Sequence, residues 1–339
     1  MAEDFLLFGV EMIVFPGVIF TILIALFVDW EDRKLHAQMQ NRIGPPFKQP
    51  LLDFIKLMAK ESIVPKDVQG MERVAYTFAP LVGFSIALTA ALFLPMGIVE
   101  DGAVVGVLSS EGDVLFLFFL LALAGLFIFI AGWATTNPLG MAGGTRYLLL
   151  MTAFEVPFLV TIFGASLIGD SLSLRQIPEG VIQAVKDDFI LVVPLAVLFG
   201  LACIVVAAES ELVPFDQPHA ETELVSGWQI EYTGWRLAYF RYAWRVKEFV
   251  GAGFLTAIFL GGAHGPIPSS IFEDWAIDFV FFTVNFLIKA LLVVLVLTYI
   301  RTVLCRMRID QVLGWFWKWV LGLSMITVIA IIGIEIWVL

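Results

Sequence analysis

Cysteine and histidine are scarce: this chain of 339 residues has two of the first and three of the second. Cys203 and Cys305 lie about a hundred residues apart, which excludes a Cys-x-x-Cys cluster or a thiolate zinc site. His36, His219 and His264 fall in three different connections without paired spacing, so no metal-ligand pattern forms. No phosphate-cradling Gly-Lys-Ser/Thr loop occurs either. Charged residues make up only 15% of the chain, against about 25% in soluble domains. Bases are the scarcer sign, 20 against 31 acids for a net charge of −11, and this balance argues against a nucleic-acid partner.

What is abundant is hydrocarbon. The chain is 60% hydrophobic with a mean hydropathy of +0.93, the composition of a membrane protein. Crossing a ~30 Å hydrocarbon layer takes ~20 apolar residues. On that rule eight spans are expected, near 5–28, 74–97, 114–133, 147–169, 189–208, 247–263, 276–300 and 313–338. The sixth is short and Gly-rich, and its start is open to extension into Trp235–Trp244. Glu3 and Asp4 precede the first run where a signal peptide would carry bases, so that run is expected to be a retained helix. The fold class is an all-α, multi-pass membrane protein forming a single domain in the lipid bilayer of the cell membrane.

Lys and Arg accumulate in the odd-numbered connections, from Arg33, Lys34, Arg42 and Lys56 in the first to Arg301, Arg306 and Arg308 in the seventh. By the positive-inside rule both termini are expected outside. Within LLDFIKLMAKE of the first connection (29–72), Leu51, Leu52, Ile55, Met58 and Ala59 recur at helical spacing opposite Asp53, Lys56 and Lys60. This predicts an amphipathic helix lying in the membrane interface. The fifth connection carries Glu209, Glu211, Asp216, Glu221, Glu223 and Glu231 with no Lys or Arg among them. Acids beside hydrocarbon mark an ion pathway, a substrate site or a docking face. Arg236, Arg241 and Arg245 follow that run and offer it partial neutralisation. Glu155 lies inside the fourth span, Glu11 and Glu335 inside the first and last, and Lys289 inside the seventh, as a relay member or as counter-ion to an inward-facing acid.

Five segments, taken in order, carry a family likeness: RKLHAQMQNRIGPP with IKLMAKESIVP; FAP at Phe78–Pro80 with LPMG; GWATTN followed by Arg146 and FEVP; PFDQPHAETELVSGWQIEY; and RTVLCRMRIDQVLGWFWK. Together they resemble the membrane subunit numbered 1, or lettered H, in respiratory complex I, which has counterparts in membrane-bound hydrogenases and sulfane reductases. The resemblance implies that the first and fifth connections (29–72 and 209–246) face a peripheral redox arm. Arg33, Lys34, Arg42, Gly44, Pro45, Lys56, Glu61, Glu231 and Tyr232 would then belong to the docking face or its chamber. It further implies an ion route through Glu155, Glu209, Asp216, Glu221 and Glu223, with Arg146 and Lys289 beside it.

Partners implied are hydrogenase-like large and small subunits, iron–sulfur subunits, and antiporter-like and small membrane subunits. The chain alone is expected to bind no cofactor and to be a coupling subunit with no catalytic residue; the iron–sulfur clusters would sit in partners. Quinone-reducing members have a longer Gly-Pro-rich insertion after RIGP and an Arg before the PFD turn. Here GPPFKQP runs on directly and Leu212 stands at the Arg position. The departures favour the hydrogenase and sulfane reductase branch, the alternative being the quinone-binding membrane subunit of an NADH-quinone or ferredoxin-quinone oxidoreductase. A stand-alone transporter would show internal repeats, which are not found; a bare anchor would not need Glu155 or the acid run.

Overall fold

The computed structural model describes residues 9–100, 103–265 and 275–338. Its helices are α1 (Val18–Met39), α2 (Gln49–Ala59), α3 (Gly70–Ala91), α4 (Asp113–Ala134), α5 (Pro138–Ile168), α6 (Ile177–Asp187), α7 (Val192–Glu209), the single turn α8 (Glu221–Leu224), α9 (Trp235–Phe259), α10 (Trp275–Val303), α11 (Ile309–Trp315) and α12 (Leu321–Val338). A π-helical turn at Phe316–Val320 joins the last two. Between α3 and α4 lies a small antiparallel pair, β1 (Ile98–Glu100) and β2 (Ala103–Val105), with Val99 opposite Val104.

Among the described residues, seven helices are long and apolar enough to cross a membrane: Gly9–Met39, Gly70–Ala91, Asp113–Ala134, Pro138–Ile168, Phe189–Glu209, Phe279–Val303 and Ile309–Ile336. They coincide with seven of the eight expected spans; residues 5–8 of the first lie outside the described residues. The sixth expected span falls on α9, whose Arg236, Arg241, Arg245, Lys247 and Glu248 hold it below the apolar criterion. Yet α9 is the most enclosed element, buried without interruption from Val246 to Phe259. It packs against α1, α2, α3, α7 and α10, so its charges meet protein and not lipid.

Helix ends depart from expectation for one recurring reason. α1 continues to Met39 instead of stopping at 28, and α9 begins at Trp235, within the extension left open for the sixth span. Arg33 and Lys34 are therefore helical, not part of a loop. Both extensions are rich in charge, so hydropathy undercounts them, but Asp29, Asp32, Arg33 and Arg245 there are satisfied by ion pairs. α5 likewise starts at Pro138, before the expected 147, and places Arg146 within the helix. Asn137 caps it, its Oδ1 accepting from the Leu139 amide at 3.0 Å. The glycines of this first stretch suit close approach: a Cβ on Gly143 would lie 2.6 Å from the Pro218 carbonyl oxygen. α2 forms as expected, with Leu51, Leu52, Ile55 and Met58 exposed along one side.

Candidate functional site

The fifth connection folds back over the ends of the spans and is stapled down. Tyr76 Oη donates to the Glu231 carbonyl at 2.5 Å, Tyr232 Oη to the Ala131 carbonyl at 3.2 Å, and the two rings stack with centroids 4.4 Å apart. Burial pushes the Tyr232 phenol well above its ordinary range, so it remains a hydrogen-bond donor.

The acid run is less bare than its sequence suggests. Glu223 pairs with Arg146 at 2.5 Å. Arg306 grips Asp216 with Nε to Oδ1 at 2.8 Å and a second contact through Nη2. Those bonds hold the Arg306 guanidinium above its ordinary range. Asn137 Nδ2 donates to Glu231 at 2.7 Å. The buried Glu211 carboxylate accepts from Trp244 Nε1 at 2.9 Å and meets His219 Nδ1 at 2.9 Å. Glu221 is exposed on α8.

The neutralising partners differ from those expected. Arg236 donates to Ser62 and lies over the Tyr76 and Trp235 rings. Arg245 turns to Asp29 (2.7 Å), Asp32 (3.1 Å) and Glu248 (2.6 Å). Arg301 also reaches Asp32, and Arg33 bridges Asp29 and Asp53 at 2.8 Å each. Arg146 does not turn towards Glu155 but crosses to the connection.

Deeper in the bundle, Glu209 at the end of α7 meets the Lys247 ammonium at 2.5 Å, and that ammonium also donates to Tyr147 Oη at 3.0 Å. Lys247 and Glu209 are 3% and 4% exposed, a fully enclosed ion pair. Glu155, two turns beyond Tyr147 on α5, has its Oε1 buried without a hydrogen-bond partner. Lys289 Nζ donates to the carbonyls of Leu260, Gly262 and His264 just past the end of α9. In the first connection, the Pro45 carbonyl accepts from Trp30 Nε1 at 3.3 Å, Arg42 donates to Gln40 at 3.3 Å, and Gly44 packs on Lys34. Lys56 and Glu61 are exposed.

Two neighbouring cavities open beneath the connection. One, of about 270 Å³, lies between Pro50, Phe54 and Leu57 near α2 and Arg33 and Arg241 across from them. The other, of about 320 Å³, is lined by Glu211, Leu212, Asp216, Glu221 and Arg306. His219, Trp244 and Arg245 line both. Lys247, Tyr147, His219 and Asp32 were missed as site residues from sequence, and Glu211 entered only as one of the acid run. The only signal for them was a base or acid close to an apolar run, which hydropathy assigns to the nearest loop.

The fold and this buried charged interior define a multi-pass plasma-membrane subunit of the complex I type. The chain belongs to the family described as NADH dehydrogenase, whose family model matches residues 12–332. It is similar to the H-type membrane subunit of NADH-quinone oxidoreductase from Geobacillus kaustophilus (strain HTA426), 32% identical over 335 residues, covering 95% of this chain and 93% of that protein. The counterpart of the same name from Thermomicrobium roseum is 31% identical over 330 residues, with 92% of each chain covered. A solved structure of the membrane-bound sulfane sulfur reductase, an archaeal respiratory membrane complex, shares the fold with a TM-score of 0.78. It is 24% identical and covers 93% of this chain and 96% of the matched one.

Proposed function

We propose that this chain is the membrane subunit of a complex I-like respiratory complex of the hydrogenase or sulfane reductase type. In that role it seats a peripheral redox arm on its first and fifth connections. It passes the charge change of electron transfer through intramembrane carboxylates to antiporter-like subunits that move H⁺ or Na⁺. The observation that carries this reading is the succession of charged pairs from the connection into the spans. It runs from Glu223 with Arg146, through Asp216 with Arg306 and Glu211 with His219, to Glu209 with Lys247 and finally Glu155. Charges this enclosed act on one another strongly, so one proton added at the connection shifts the occupancy of the next site. A purely structural anchor has no use for such a series.

A second reading, the quinone-binding membrane subunit of a quinone oxidoreductase, is favoured by the relatives' name and by the first cavity. Its residues fit such a ligand: Pro50, Phe54 and Leu57 supply an apolar wall, and His219 and Arg241 supply donors for a quinone oxygen. Against it stand Leu212, 7% exposed and packed into the core, and the short GPP turn.

The test is to purify the intact complex through a tag on this chain. The sample is extracted for quinone and assayed for hydrogen evolution, sulfane reduction and quinone reduction. Quinone-free turnover of protons or sulfane supports the first reading; co-purified quinone that is reduced replaces it with the second.

A further inference from the structure

In the connection Glu211, Asp216, Glu223 and Glu231 each have their own donor or cation, but further in the balance changes: one ammonium, that of Lys247, acts on both Glu209 and Glu155. Lys247 rests on Glu209 at 2.5 Å, and it is also the cation acting electrostatically on Glu155, whose Oε1 lacks a hydrogen-bond partner. No other base among the described residues approaches the pair. Of the neighbouring charges, Glu211 is committed to His219 and Trp244, and Glu248 to Arg245. α3 and α4 bring only uncharged residues to this point. One ammonium fully offsets one carboxylate, not two.

The surroundings give this lysine room. Tyr147 Oη supports the ammonium at 3.0 Å, and its ring lies beneath with the centroid 5.6 Å away. Gly125 keeps the floor clear: a Cβ there would lie 1.8 Å from Tyr147 Oη and 2.9 Å from Lys247 Nζ. Beside Lys247 is a void of about 10 Å³ bounded by Gly83, Ala124, Ile128 and Trp244. That is about the least space that admits a water molecule. A four-carbon stem with a compact charge at its tip is suited to move between two acceptors.

Building on the coupling role above, we propose that Lys247 is a shared cation that exchanges between Glu209 and Glu155, with Tyr147 as its guide, so that each exchange moves one proton. With Lys247 on Glu209, that carboxylate is ionised and Glu155 holds a proton. When Lys247 turns to Glu155, Glu155 releases its proton inward and Glu209 takes one from the connection. The three groups sum to zero charge in both arrangements, so the move needs no further counter-ion. Lys247 and Tyr147 are positioning residues in this scheme, and the protons are held by the two carboxyls.

The test uses the whole complex, tagged on this chain and reconstituted in vesicles. Redox turnover, cation flux per electron, and the infrared difference spectrum of protonated carboxyl groups on electrochemical reduction are recorded. Lys247→Met alone leaves Glu209 buried without its cation, so it is run beside the neutral pair Lys247→Met/Glu209→Gln. The expected result is flux per electron down about fivefold or more in both, with near-normal assembly of the neutral pair and reduced assembly of Lys247→Met alone. Loss of the paired carboxyl gain and loss, and partial rescue by Lys247→Arg, should accompany it. Wild-type flux and an intact paired signal in both variants would overturn the lysine's role. Glu155→Gln separates the levels: if it uncouples while the Lys247 variants do not, only the exchange fails, and if it too leaves flux intact, the coupling role fails with it.

Discussion

Close packing around one charged group makes a single methyl group consequential. Gly125 faces Tyr147 Oη and Lys247 Nζ closely enough that any side chain there must displace them. Gly125→Ala is therefore expected to destabilise the purified complex by about 1–3 kcal/mol, the usual cost of overpacking. It should also lower flux per electron, because the Lys247 contact to Glu209 is what shifts. Gly322→Ala is the matched control, since nothing lies within 4 Å of a Cβ at that position. Thermal unfolding of the two variants, with flux measured beside it, checks the difference. Equal behaviour would mean that the Tyr147–Lys247 pair relaxes freely and that its position carries no information.

The C-terminal end of α9 shows how one side chain can fix the turn that follows an element. Lys289, reaching over from α10, donates to the carbonyls of Leu260 (2.7 Å), Gly262 (3.0 Å) and His264 (2.5 Å). These carbonyls belong to the turn that follows the helix, which the lysine ties down to α10. Lys289→Met frees all three, and the turn at 260–265 is expected to exchange its amide hydrogens faster while α4 and α5 stay protected. His264 adds a pH dependence. Burial holds its imidazole below the ordinary value of 6.5, the Lys289 charge acts in the same direction, and Glu179, 3.5 Å away, opposes both. The unfolded chain then binds the proton first, so this contribution to stability is present above about 6.5 and is lost as pH falls through that value. Corrected for the intrinsic exchange rate, protection of 260–265 should fall on acidification in the wild type, and His264→Gln should flatten the fall.

Across the whole molecule, apolar periodicity sufficed for seven of the eight spans and for the amphipathic helix of the first connection. Pairing was not legible, because it is decided by contacts between distant segments: Arg146 meets Glu223 77 positions away, and Arg306 meets Asp216 90 positions away. The same blindness shortened α1 at its polar end and left the start of α9 open, where Asp29, Asp32 and Arg245 look like loop residues until they are seen to satisfy one another. Asp32 is the sharpest case. It is fully buried, accepts from Thr298 at 3.0 Å, and receives both Arg245 and Arg301, so it ties α1 to α9 and α10. Removing one partner from a buried network leaves an uncompensated charge, at a cost of about 3–5 kcal/mol, whereas an exposed pair contributes about 0–1 kcal/mol. Asp32→Asn should accordingly lower the melting temperature and the yield of assembled complex. Glu223→Gln, at a partly exposed pair, should leave both nearly unchanged and act on coupling instead. Melting curves of the two variants decide it: a Glu223→Gln shift as large as that of Asp32→Asn would place the structural tie in the connection and not between the spans.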